Sequence, residues 1–177
     1  MAEINNSCKD TDECGIEYSV KQVWLDNVPY ITMILLGAYI LWQTVSLFAG
    51  VMFVLYGITG TLWFIVFICP YCHYYGSKAC PCGYGVLSLK ITKKKDAKKF
   101  HSVFKRNILA IVPLWIIPPV AAVMSLLNVF SISLLTWVLI FVIDSCIILP
   151  WVSRKYGCAH CPNKEECPWM QKGIKKN

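Results

Sequence analysis

Residues 28–69 read VPYITMILLGAYILWQTVSLFAGVMFVLYGITGTLWFIVFIC and contain no charged side chain; the uncharged interval extends from Asp26 to Lys78. A bilayer core about 30 Å thick is crossed by about 20 apolar residues in a helix. The stretch is long enough for two crossings. Gln43, Thr44, Ser46 and Gly50 cluster in its middle, where such residues favour a turn. The pattern predicts helices over about 28–48 and 51–69. A soluble protein would break helices this long with a polar face.

A second block repeats the pattern. Between Arg106 and Arg154 the only charged residue is Asp144. Ser125, Asn128, Ser131 and Ser133 mark a turn, and helices are expected over about 107–127 and 129–149. A chain of 177 residues that is 56% hydrophobic is one domain's worth of membrane protein. The expected fold is all-α and integral to the membrane, with four transmembrane helices as two hairpins and small Cys-rich, metal-binding loop and tail segments. In order these are an acidic segment (1–27), a first hairpin (28–69), a Cys-rich and basic loop (70–106), a second hairpin (107–149) and a Cys-rich tail (150–177). The first 27 residues hold six acids and no apolar stretch, unlike a signal peptide.

Charge sets the expected orientation. Of the 17 Lys and Arg residues, two lie before residue 28, nine in the central loop and six in the tail, while the short turns carry none. Positive residues stay on the cytoplasmic side, so both termini and the Cys-rich segments are expected there. In a reducing compartment, close cysteine pairs serve metal binding or redox chemistry more often than disulfides.

Seven of the ten cysteines fall in two strings. The first, CPYCHYYGSKACPC (69–82), has the spacing C-x2-C-x7-C-x-C, and the second, CAHCPNKEEC (158–167), has C-x2-C-x5-C. Two close pairs joined by a short loop bring four thiolates round one ion, which suits zinc and iron–sulfur clusters alike. The expected metal ligands are Cys69, Cys72, Cys80 and Cys82, with Cys158, Cys161 and Cys167 in the tail. Cys146 and His160 are possible additional ligands, beside Cys8 and Cys14. Proline follows Cys69, Cys80, Cys161 and Cys167, as it follows the last cysteine of the bacterial ferredoxin run. An iron–sulfur cluster is slightly favoured over zinc, because a second Cys-rich segment exceeds what one structural zinc requires.

Two resemblances bear on function. Cys69-Pro70-Tyr71-Cys72 is similar to a glutaredoxin active-site tetrapeptide, but here it follows an apolar span instead of a strand, which leaves a thiol–disulfide oxidoreductase as a further alternative. The layout also resembles membrane protein acyltransferases of the DHHC class, with a Cys-rich loop between the second and third of four spans. No Asp-His-His-Cys string is present; His160-Cys161 is the nearest fragment, so no acyltransferase residues carry over.

The expected role is an electron-transfer component or a subunit of a membrane redox complex, more an accessory subunit than a stand-alone enzyme. Its partners would be lipid and other membrane or soluble redox proteins. A zinc-stabilised scaffold without redox activity is the alternative. Residues 92–106 place Phe100, Val103 and Phe104 on one helical face with the lysines elsewhere, suited to a helix in the headgroup region or to an acidic partner. Nucleic acid is not expected, since this charge lies against the bilayer without a recognised binding motif. Inside the spans, Asp144 is a functional candidate or a partner for Arg154 or Lys155. Pro118-Pro119 is expected to kink the third span and open room for a quinone-like ring.

Overall fold

The computed structural model of the protein describes residues 18–158, with side chains through 155. Every regular element among them is helical. The α-helices are α1 (Val20–Thr44), α2 (Leu47–Phe67), α3 (Tyr84–Ile91), α4 (Phe100–Asn107), α5 (Pro113–Asn128), α6 (Ile132–Ile143) and α7 (Leu149–Val152). Tighter 3-10 turns occupy Cys69–Tyr71, Ala97–Lys99 and Ile108–Ala110, and wider π-helical turns occupy Asp144–Ile148 and Ser153–Cys158. Four stretches are long and apolar enough to cross a membrane: Val20–Thr44, Leu47–Tyr71, Ala97–Asn128 and Ile132–Lys155.

The bundle carries hydrophobic residues outside as well as inside. Leu35, Phe48, Leu55, Ile58, Leu127 and Ile132 are all exposed. An apolar belt of this size is stable against lipid and not against water. The interior is built from Met33, Ile40 and Leu41 of α1, Phe53 of α2, Leu114 and Ala122 of α5, and Val138 and Phe141 of α6. Lipid supplies no hydrophobic drive between spans, so close backbone approach at small residues holds them together. Gly50 provides it: a Cβ there would lie 2.7 Å from the Ala38 carbonyl oxygen.

Helix α1 begins at Val20 instead of near Val28, because Ser19 caps it. Ser19 Oγ accepts the Gln22 N–H at 3.4 Å while Gln22 Oε1 accepts the Ser19 N–H at 2.9 Å, a reciprocal capping box. The extra turns carry Asp26 into the helix, where it is only 7% exposed. The breaks between spans, at Val45–Ser46 and Val129–Ser131, fall inside the turn regions read from the sequence.

Prolines shape the third and fourth spans in different ways. Pro118 is fully buried, and a Cβ on Gly37 would touch Phe53 and, at 3.0 Å, Pro118 Cγ, so these side chains close the space beside the proline pair. In the fourth span, Asp144–Ile148 winds with i to i+5 bonds, the Leu149 N–H pairing with the Asp144 carbonyl. The next carbonyl, Ser145, would pair with residue 150, but Pro150 has no N–H. The Trp115 indole N–H donates to that carbonyl at 3.2 Å and ties the third span to the fourth.

The amphipathic segment also finds a partner within the chain. Phe104 stacks edge-on against Phe64 of α2, with ring centroids 6.3 Å apart, and tilts against Phe100 at 5.6 Å. Its aromatic face therefore packs on the bundle. Lys98, Lys99 and Lys105 lie on the same segment.

Candidate metal centre and its cap

Residues 69–92 fold into a small cap on one end of the bundle. Its first turn continues from α2: Cys69–Tyr71 forms a 3-10 turn and the Cys72 N–H donates to the Cys69 carbonyl at 3.0 Å. Gly76 and Gly83 both adopt φ +74°, a left-handed backbone that glycine takes without strain. These reversals bring Gly76 beside Gly85, whose carbonyl accepts the Gly76 N–H at 3.0 Å. Helix α3 then fastens the cap to the second span. Ser88, fully buried, donates its hydroxyl to the Ile65 carbonyl at 2.8 Å, and Tyr75 donates its phenol to the Thr92 carbonyl. Tyr74, Tyr75 and Ala79 are buried within the cap.

The reversal at Gly83 points backbone donors at Cys80. The Gly85 N–H lies 3.3 Å from Cys80 Sγ. Burial holds the Cys80 thiol above the ordinary range, and the backbone N–H groups of Gly85, Cys82, Gly83 and Tyr84 offset only part of that rise. Converging N–H groups favour a negatively charged sulfur. Cys82 is raised further, with no such donors to offset burial. Its thiol donates to Asp26 Oδ2 at 3.0 Å, and burial, then the Asp26 charge, with Cys80 and Cys69 nearby, hold it well above the ordinary thiol range. Asn27 fixes this junction, donating from Nδ2 to the Cys82 carbonyl at 3.1 Å and accepting the Tyr84 hydroxyl at 2.8 Å.

A low thiolate fraction has a direct consequence in metal-free protein. Thiolate is the species that alkylates, and each pH unit below the pKa lowers its fraction tenfold. At pH 8, Cys82 is expected to react with a small uncharged maleimide at least about tenfold more slowly than glutathione does. Asp26→Asn removes the neighbouring negative charge and should speed the reaction. Peptide mass spectrometry reads both rates. Equal rates for Cys82 and glutathione would contradict the buried thiol–carboxyl pair.

The predicted site residues divide into three groups. Cys69, Cys72, Cys80 and Cys82 all lie in the cap, half-buried, and Cys69, Cys80 and Cys82 carry free thiols. Among the described residues, no three His, Cys, Asp or Glu side chains gather as a ligand set, and Cys82 is turned to Asp26. Cys146 is exposed, beside Ile147, Pro150 and Trp151 on the fourth span. Asp144 is 5% exposed and its Oδ2 has no hydrogen-bond partner, while Lys155 Nζ sits 4.8 Å from the centre of the Trp151 ring. Cys8, Cys14, His160, Cys161 and Cys167 lie outside the described residues, as does the side chain of Cys158. His73 lies in the cap, its imidazole held below its ordinary pKa by burial and by Lys94.

Asp26 and Asn27 were absent from the residues the motifs singled out. The available signal was Ser19-x-x-Gln22, which opens a helix before Val28 and so carries Asp26 and Asn27 toward the loop. No family model, curated protein or solved structure matches this chain.

Proposed function

We propose that this protein is a membrane electron-transfer component whose cap carries a cysteine-ligated centre. In this reading the four spans form two hairpins and the cap and both termini face the cytoplasm, the side that the distribution of Lys and Arg favours. Cys69, Cys72, Cys80 and Cys82 hold an iron–sulfur cluster, with Cys158, Cys161 and Cys167 forming a second ligand set in the tail. The observation that carries the reading is the set of backbone N–H groups converging on Cys80, the Gly85 N–H at 3.3 Å. Such donors stabilise a thiolate ligand and set the potential of a cluster bound to it. To serve as a ligand, Cys82 would have to give up its proton and its bond to Asp26. The basic rim around Lys93, Lys94 and Lys95 offers a docking face for an acidic redox partner.

Zinc is the second reading, favoured by the closure of the cap around Tyr74, Tyr75 and Ser88. A packed, solvent-poor shell is what a four-thiolate structural zinc site requires. The protein would then be a scaffold or accessory subunit.

Anaerobically purified protein distinguishes these. Brown material with iron and acid-labile sulfide, bleaching on reduction, supports electron transfer; colourless protein with zinc supports the scaffold. Cys80→Ser should lower bound metal at least about tenfold while the spans stay inserted. Unchanged metal content in that variant removes Cys80 from the ligand set. Metal-free wild type with a reactive Cys69–Cys72 pair would move the assignment to thiol–disulfide exchange. Labelling of the cap cysteines by an impermeant maleimide on intact cells would overturn the proposed orientation.

A further inference from the structure

Beneath the cap lies a cavity of about 450 Å³, bounded by α1, α2, α4, α5 and α7. Its walls are apolar: Phe64, Phe104, Ile108, Ile111, Trp115 and Leu149. Its upper end is polar, lined by Asp26, Asn27, Tyr30, Cys82 and Tyr84. A largely apolar chamber with a few polar groups at one end is the usual form of a small-molecule site, and this volume falls in the usual range.

The polar end is almost entirely spent on the protein itself. Tyr30 donates to the Gly57 carbonyl at 3.2 Å, and Tyr84 donates to Asn27 Oδ1 at 2.8 Å. Asn27 Nδ2 serves the Val23 and Cys82 carbonyls at 2.7 and 3.1 Å. Thr61 donates to the Gly57 carbonyl at 3.2 Å, and the Trp115 indole to the Ser145 carbonyl at the same distance. Asp26 differs. Cys82 occupies its Oδ2, but its Oδ1 is buried and has no hydrogen-bond partner. A buried acceptor left unmade costs free energy that a suitable donor recovers.

The geometry points to a binding site for a ring-bearing amphiphile from the membrane, with the head chemistry of a hydroquinone: a planar apolar ring whose hydroxyl donates to Asp26 Oδ1. The ring lies among Phe64, Phe104 and Trp115, which favour aromatic contact. A lipid acyl chain would fill the volume without meeting the acceptor, and an anionic headgroup would meet the Asp26 carboxyl with no Lys or Arg among the residues lining the cavity. The larger groove on the outer face of α1 and α2, about 720 Å³, is lined by exposed Trp24, Leu35 and Ile58 and suits lipid tails. The site goes beyond the cap's metal chemistry and stands whether the cap holds iron, zinc or neither.

A redox-inert pair of probes tests it apart from any metal. Full-length protein in nanodiscs is dialysed to equilibrium against 4-octylphenol or its methyl ether, with empty nanodiscs subtracted. The phenol is expected to bind saturably, one per chain, at least about tenfold tighter than the ether, which lacks the donor. Asp26→Asn should shrink that ratio severalfold. Gly60→Leu should abolish binding, because Gly60 lines the cavity and a side chain there projects toward Ile111, whose Cγ2 would be 3.2 Å from its Cβ. A wild-type protein that binds ether and phenol equally, or a Gly60→Leu protein that binds phenol unchanged, overturns the assignment. The wild-type comparison needs no variant to fold.

Discussion

Gly85→Ala is expected to unseat the cap while leaving the four spans inserted. A Cβ at this position would lie 2.3 Å from the Tyr74 carbonyl oxygen and 3.1 Å from Cys80 Cβ. Neither contact is the free end of a side chain, and buried Tyr74 has little room to retreat. Relief comes only by moving α3 away from the loop. That motion breaks the Gly85 N–H contact to Cys80 Sγ and the Gly76 N–H bond to the Gly85 carbonyl, 3.3 and 3.0 Å in the native cap. Overpacking costs about 1–3 kcal/mol and each lost hydrogen bond about 1 kcal/mol, so the cap should lose about 3 kcal/mol. The readout is maleimide protection of Cys82 in metal-free protein. Its modification should accelerate at least about tenfold, since 1.4 kcal/mol already corresponds to that factor in an opening equilibrium. An unchanged rate, with unchanged metal content in the anaerobic preparation, would show that the close approach at Gly85 is not required.

Gly50→Leu should cost the bundle a similar amount by driving α1 and α2 apart. Its Cβ would stand 2.7 Å from the Ala38 carbonyl oxygen and 3.4 Å from Trp42 Cβ, so a helix backbone must shift. The expected loss is about 2–3 kcal/mol, measured as a lower midpoint in detergent-induced unfolding followed by Trp fluorescence. Gly57→Ala provides the contrast. Its close neighbours all belong to one side chain, Ile34, at 2.6 Å (Cδ1), 2.9 Å (Cγ1) and 3.2 Å (Cγ2), so that side chain and not a helix backbone must shift. That variant should cost less than Gly50→Leu. Equal midpoints for Gly50→Leu and Gly57→Ala would sink the distinction between a backbone contact and a rotatable one.

The cap and the cavity meet at Asp26. Cys82 and Asp26 are separated by most of two spans in sequence, yet their contact of 3.0 Å ties the Cys-rich loop to the first helix. The same residue lines the chamber below, and its other carboxyl oxygen is buried without a hydrogen-bond partner. A ligand in the chamber and a metal on Cys82, as proposed, would therefore act on one side chain.

The sequence alone determined that four apolar stretches are long enough to cross a membrane, where they break, and which loop carries Cys69, Cys72, Cys80 and Cys82. Length and mean polarity are sums along the chain, so they need no knowledge of packing. Capping was legible too, but Ser19 and Gln22 are ordinary residues, and their pairing becomes decisive only once α1 is seen to begin there. Tertiary structure alone decided that Asp26 belongs to the cap, that Phe104 turns toward α2, and that Pro118 seals its notch while a cavity opens elsewhere. It also decided that the Trp115 indole serves the carbonyl Pro150 leaves bare. Each of these is a distance between residues far apart in sequence, set by how helices of fixed length settle against one another, and no local pattern encodes it.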